Sequence, residues 1–272
     1  MLRLRLLTAA IGLPLILLAI ILGPHPFSIF LTIVATVCIL ELCRLAPQLS
    51  MRDPLVVVAT VWTVLLSTRH VLFPTGVMQS LLITVPLVLS LLLLLPISGR
   101  QRTFAQWSWT LASALYVGWL LGHWGGLYML PAGLSLVLFG MLTTFSYDSF
   151  AFLFGRAFGR HKLAPRISGA KTWEGAIGGL ISALGIGLLV RAVLLGIIGE
   201  FPFPVVLTLL ASACIAVTAQ VGDLVESALK RGAAVKDTGG VLPGHGGMLD
   251  RFDSLLFTGT MLYYFALWGV SA

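Results

Sequence analysis

Apolar residues fill this chain in stretches of roughly twenty, separated by short intervals that carry nearly all of its charge. A helix rises about 1.5 Å per residue, so a stretch of that length crosses a hydrocarbon layer of about 30 Å. The pattern predicts nine spans, near residues 5–23, 28–46, 54–73, 77–97, 105–123, 132–154, 175–198, 204–229 and 255–270. No internal repeat, low-complexity tract or soluble domain interrupts them. The expected fold is therefore all-α: a polytopic integral membrane protein with residues 1–272 as a single transmembrane domain. Within it, residues 1–130 form mainly scaffold, and 131–272 a catalytic half with loops at 155–175 and 230–254.

Composition agrees with that class. Hydrophobic residues make up 58% and charged residues 10%, against roughly 25% charged in soluble domains. A formal charge of +7 would suit a nucleic-acid partner, but no basic patch is interleaved with aromatics, and the positions of the cations explain them better. With the N-terminus in the cytoplasm, 15 of the 17 Lys and Arg residues fall on or at the edge of the inner side, leaving Arg69 and Arg191. Topology follows such segregation, so both charged loops are expected to face the cytoplasm. The first apolar stretch is long and lacks a small-x-small cleavage site, which reads as an uncleaved span. Cys38, Cys43 and Cys214 lie in apolar runs without metal or disulfide spacing. Trp107, Trp109, Trp124 and Trp268 fall near span ends, as interfacial anchors do. Gly175 and Gly179 have GxxxG spacing, which favours close helix packing.

Chemistry concentrates in Ser227–Asp253. These 27 residues hold four basic side chains, three carboxylates, a histidine and six glycines. Pro243, Gly244, Gly246 and Gly247 forbid a regular helix and let the backbone turn close to a ligand. Asp223 and Glu226, just upstream, and Ser227 and Lys230 are spaced i, i+3, i+4 and i+7, so they share a helix face. Asp250 and Asp253 stand three apart at the entry to the last span. A carboxylate at the centre of a span costs roughly 2.5–3.5 kcal/mol, so each needs a partner. Asp148 and Asp223 both come late in an outward-to-inward span, at the depth where a phospholipid presents its phosphate. Carboxylates on adjacent helices suit Mg²⁺, which takes a few carboxylates together with phosphate oxygens and water. The candidate metal ligands are Asp223 and Asp250, with Asp148, Glu226 and Asp253 as further candidates. Lys230, Arg231, Lys236 and Arg251 are candidate phosphate partners, Asp237 lies among them, and His245 can donate to a phosphate or carry a proton. The plainer alternative has Asp223 and Glu226 pair with Lys230 and Arg231 as a helix cap, which leaves the glycine loop and Asp250 without a task.

The loop at 155–175 is strongly basic, and its Ser168, Lys171, Thr172 and Glu174 precede a helix start, where backbone N–H groups attract anions. Phosphate binding and a purely topological role are both open there.

Ser227–Asp253 resembles the signature of the phosphatidate cytidylyltransferases, also called CDP-diacylglycerol synthases. The match runs from Ser227 through Lys230-Arg231, Lys236-Asp237, Pro243 and His245-Gly246-Gly247 to Asp250-Arg251 and Asp253. Asp148, Lys171–Gly175 and Gly222–Leu224 fit as well, whereas Gly169 and Phe152 stand where proline and tyrosine are common. The resemblance implies transfer of a cytidylyl group from CTP to phosphatidate, Mg²⁺ dependence, K⁺ as a second cation, a homodimer, and a place in the bacterial inner (cytoplasmic) membrane. A cation-coupled transporter would carry its acids near mid-bilayer in paired repeats. A CDP-alcohol phosphotransferase would need an Asp-Gly-x2-Ala-Arg context. The chain has neither.

Overall fold

The computed structural model describes residues 2–46, 49–73, 76–95, 104–242, 244 and 246–271, and only the backbone of 2–9, 270 and 271. Expectations resting on Pro243, His245, Arg100 and Arg102 fall outside the described residues. The helices are α1 (Leu2–Ile21), α2 (Pro24–Arg44), α3 (Pro54–Leu72), α4 (Gly76–Leu92), α5 (Phe104–Ala114), α6 (Leu120–Tyr128), α7 (Gly133–Phe158), α8 (Trp173–Ile197), α9 (Val205–Gly232) and α10 (Leu249–Ser271). A π-helical turn, Leu115–Trp119, joins α5 to α6. Among the described residues, α2, α3, α7, α8 and α9 are long and apolar enough to cross a membrane. The architecture is thus that of a helical membrane protein.

One departure is a small antiparallel ribbon, β1 (Lys162–Ala164) and β2 (Ser168–Thr172), where the sequence suggested only a loop. Pro165 sets the backbone for a tight turn, and the Ile167 N–H closes it on the Ala164 carbonyl at 3.1 Å.

The chain divides into two compact units, Met1–Gly126 with Val235–Arg251, and Leu127–Ala234 with Phe252–Ala272. In the first unit, Asp53 caps α3 by accepting from the Leu55 N–H at 3.0 Å, and Pro54 opens the helix. Ile39 and Cys43 pack on Val56 and Ala59, while Trp62, Leu66, Leu82 and Ala114 form a neighbouring cluster. Gly118 permits the π-turn to touch α3, since a Cβ there would lie 2.8 Å from Thr63 Cα. Arg69, expected outside or within a span, is fully buried. It donates to the Leu66 and Trp119 carbonyls at 2.8 and 3.0 Å and lies 4.0 Å from the centre of the Trp119 ring. Trp107 and Trp124 are also buried rather than placed as interfacial anchors.

In the second unit α8 lies against α7 and α9, around Tyr147, Ala151, Ala183, Ala216 and Ala219. The GxxxG glycines make this contact. A Cβ on Gly175 would come 2.7 Å from the Ala151 carbonyl oxygen, and one on Gly179 would come 2.7 Å from the Tyr147 ring. Gly222 does the same between α9 and α10, facing the Asp253 carbonyl oxygen at 2.6 Å. Arg191 donates to the Phe203 carbonyl at 3.1 Å.

Candidate active site

In the second unit the face predicted on α9 is present. Asp223 is paired with Lys171, which reaches it from the end of β2, and both side chains remain about a quarter exposed. Ser227 Oγ lies 3.5 Å from the other Asp223 oxygen. Asp253, at the start of α10, lies within electrostatic reach of Asp223, Asp148 and Lys171. Ser254 donates to Asp148 at 3.2 Å. The unit therefore gathers carboxylates from α7, α9 and α10, with Lys171 paired to the one on α9.

Glu226, on the same helix, has a different partner. It is buried and takes the Lys230 ammonium at 2.6 Å, one helical turn along. The cap alternative thus describes Glu226 and Lys230 but not Asp223. Arg231 is exposed, with Nε 3.5 Å from the Ile167 carbonyl oxygen in the ribbon turn.

The ribbon explains how Lys171 reaches Asp223. Pairing of Lys162 with Thr172 and of Ala164 with Ser168 fixes β2 immediately before α8. Thr172 then caps α8, its Oγ1 accepting from the Gly175 N–H at 3.2 Å. Glu174 grips His161, accepting from its backbone N–H at 3.2 Å and lying 2.6 Å from its Nδ1. Of the four residues expected at this helix start, Lys171 reaches the α9 face, while Thr172 and Glu174 build the ribbon and cap that aim it. Ser168 sits half-buried at the start of β2. Beside Lys171 opens a cavity of about 270 Å³ lined by Phe152, Arg156, Lys171, Thr172 and Gln220 among others. It presents two cations and an amide against otherwise mostly apolar walls, a combination that suits an anionic head on a hydrocarbon body. Gln220 is held there by the Tyr147 hydroxyl, which donates to its carbonyl oxygen at 2.8 Å.

The glycine loop belongs to the first unit. Leu242 donates to the Gly246 carbonyl at 3.0 Å, closing a turn in which Gly244 and Gly246 take φ of +80° and +83°. Those left-handed angles favour glycine. Asp250 holds the loop, one oxygen accepting from the Gly247 N–H at 2.8 Å and from the N–H and hydroxyl of Thr238 at 3.0 Å each. Lys236, Asp237 and Arg251 are exposed. Gly246 and Gly247 shape the backbone around Asp250 and Thr238, and a Cβ on Gly246 would come within 3.0 Å of the Asp250 carboxylate.

Asp223 and Asp250, the pair expected to share a metal, fall in different units. Among the described residues, no three His, Cys, Asp or Glu side chains form a ready-made ion cage. Mg²⁺ is commonly held by one or two carboxylates plus water and substrate phosphate. The oxygen-only donors of Asp223, Asp148 and Asp253 suit a cation that completes its shell with water and phosphate oxygens.

Sequence reasoning passed over Glu41. It lies in the apolar run of α2, is 1% exposed, and accepts hydrogen bonds from Thr238, Met248 and Leu249. A lone carboxylate inside a span was the available signal, since such a group persists only with partners.

Known proteins resemble this chain over most of its length. The model of the cytidylyltransferase family matches residues 3–268. A phosphatidate cytidylyltransferase of Bacillus subtilis (strain 168) is 34% identical over 262 residues, covering 96% of each chain. Another, of Staphylococcus aureus (strain COL), is 35% identical over 257 residues, 94% of this chain and 95% of the relative. That of Staphylococcus haemolyticus (strain JCSC1435) is 42% identical over 161 residues, 59% of each.

Proposed function

We propose, for a chain that belongs to the cytidylyltransferase family, the activity of a phosphatidate cytidylyltransferase: CTP and phosphatidate give CDP-diacylglycerol and diphosphate. Full-length likeness to enzymes of that name supports the chemistry. The observation that carries it to particular residues is Lys171 paired with Asp223, beside Asp148, Asp253 and the mostly apolar cavity.

In this reaction a phosphatidate oxygen attacks the α-phosphorus of CTP. The bond from that phosphorus to the β-phosphate oxygen breaks, and its electrons leave with diphosphate. The attacking phosphate is already anionic, so no strong general base is needed, and positioning with charge neutralisation supplies most of the rate. In this reading Lys171 exchanges Asp223 for a substrate phosphate, with Arg156 at the same cavity and Lys230 and Arg231 further along α9. Lys236, Arg251 and His245 are assigned to phosphate charge on the glycine-loop side. Asp223 and its neighbouring carboxylates would hold Mg²⁺, which would polarise the α-phosphate and neutralise the leaving diphosphate. K⁺ as a second cation and a homodimer belong to the same proposal, supported by the signature resemblance.

The membrane arrangement proposed is nine spans, N-terminus inside, with residues 131–272 as the catalytic half facing the cytoplasm across the bacterial inner membrane. The segregation of Lys and Arg supports it. A membrane-impermeant amine reagent should then label Lys162 and Lys236 from the inner face alone, and labelling from the outer face would reverse the orientation.

Purified protein in detergent, given phosphatidate and labelled CTP with Mg²⁺, should form labelled lipid and diphosphate in equal amounts. Omission of the divalent cation should stop it. Diphosphate release without labelled lipid would overturn the assignment.

A further inference from the structure

Glu41 has no part in the chemistry above, yet its carboxylate is buried and bonded through both oxygens. Its carboxylate stands on α2, three residues before the helix ends at Arg44. Both oxygens are used: Oε1 accepts from the Met248 N–H at 3.0 Å, and Oε2 from the Leu249 N–H at 2.9 Å. These donors lie at the start of α10, where backbone N–H groups lack partners within the helix. The carboxylate therefore caps α10 from a helix about two hundred residues earlier, 207 and 208 positions away for the two bonds.

The clamp extends into the glycine loop. Thr238 Oγ1 lies 3.3 Å from Glu41 Oε2 and 3.0 Å from Asp250 Oδ2. A hydroxyl has one proton to give, so it tethers one carboxylate at a time and couples the two. Two loop glycines press on the same group: a Cβ on Gly239 would fall 2.6 Å from Oε1, and one on Gly247 2.7 Å from Oε2. Neither glycine has a positive φ. They are needed because the backbone comes so close to Glu41.

We propose that Glu41 is a positioning residue for the cytidylyl transfer: its carboxylate fixes the start of α10 and, through Thr238, sets Asp250 and the glycine loop in working register. The proposal rests on the cytidylyltransferase reading, and the test separates the two. Wild type, Glu41→Gln, Thr238→Val and Thr238→Ser are purified as full chains in detergent. Rates against CTP concentration, thermal midpoints and backbone hydrogen exchange are then measured. A wild type that makes no CDP-diacylglycerol defeats the functional reading and leaves the exchange result to judge the clamp.

Glu41→Gln replaces one accepting oxygen with a donor, so it can serve only one of the two N–H groups. Faster exchange at Met248 and Leu249 is expected, with kcat/KM for CTP lowered about 10–100-fold, as misplacement of a reacting group produces. Thr238→Val, which spares the backbone bonds, should lose about three- to tenfold, and Thr238→Ser, which restores the hydroxyl, should recover most of that. A double variant, Glu41→Gln with Thr238→Val, should lose less than the product of the single losses. Wild-type kinetics in Glu41→Gln, or unchanged exchange at Met248 and Leu249, overturns the proposal. If Glu41→Gln does not fold, Thr238 decides: Val and Ser variants with equal, wild-type-like kcat/KM overturn it, and a loss confined to Val upholds it.

Discussion

Asp223 and Asp250 are the same side chain held in two different ways. Asp223, in the second unit, is met by the ammonium of Lys171, with both groups about a quarter exposed. Asp250, in the first unit, is met by two peptide N–H groups and a hydroxyl from its own loop. A partly exposed ion pair between two side chains can change partners when a phosphate arrives, because neither side chain is fixed by the backbone. A carboxylate held by backbone amides cannot change partners without moving the backbone. One acid is therefore poised for exchange, and the other is built into a shape.

The largest effect is expected at the exchangeable acid. Asp223→Asn should cut turnover by about 10²–10³-fold, the scale seen when one electrostatic contact at a reacting centre is lost. Exchange at the Thr238 and Gly247 amides should stay at the wild-type rate. Near-normal turnover in detergent with CTP and Mg²⁺ would remove Asp223 from the site. Asp250→Asn should follow, with a loss of about 100-fold and faster exchange at those two amides. Equal exchange in the two variants would erase the distinction between the acids.

Lys171→Ala should act mainly on binding, raising the KM for a phosphate-bearing substrate by about tenfold, the worth of one charge-assisted hydrogen bond. An unchanged KM would return Lys171 to a topological role. Smallest is Tyr147→Phe, which removes the bond to Gln220 at a cost of about 1 kcal/mol. A fall of roughly 2–4 °C in the thermal midpoint should register it. No shift would show that the cavity wall does not depend on that bond.

What could be read beforehand followed from local spacing. The hydropathy pattern delivers the long apolar helices, and the i, i+3, i+4, i+7 set on α9 does lie along one helix, because helical geometry alone decides it. Direction around that helix was harder to foresee. Glu226 and Lys230 form the local pair, whereas Asp223 finds Lys171 at a sequence distance of 52. Strands of three and five residues are too short to leave a period, so the ribbon was invisible although it aims Lys171. The signature marked Asp250, but its spacing does not say whether a carboxylate faces a ligand or its own loop. Glu41 was missed because its partners are supplied by the tertiary fold.

That separation has a consequence for how the protein is made. Glu41 emerges from the ribosome 207 residues before Met248, and at about 5–20 residues per second the interval is roughly 10–40 s. Throughout it, a nascent hairpin of apolar helices carries an acid whose intended donors do not yet exist. The first unit cannot finish until Met248 and Leu249 have been translated, so truncation before residue 248 leaves the carboxylate of α2 without those donors and offers membrane quality control a handle.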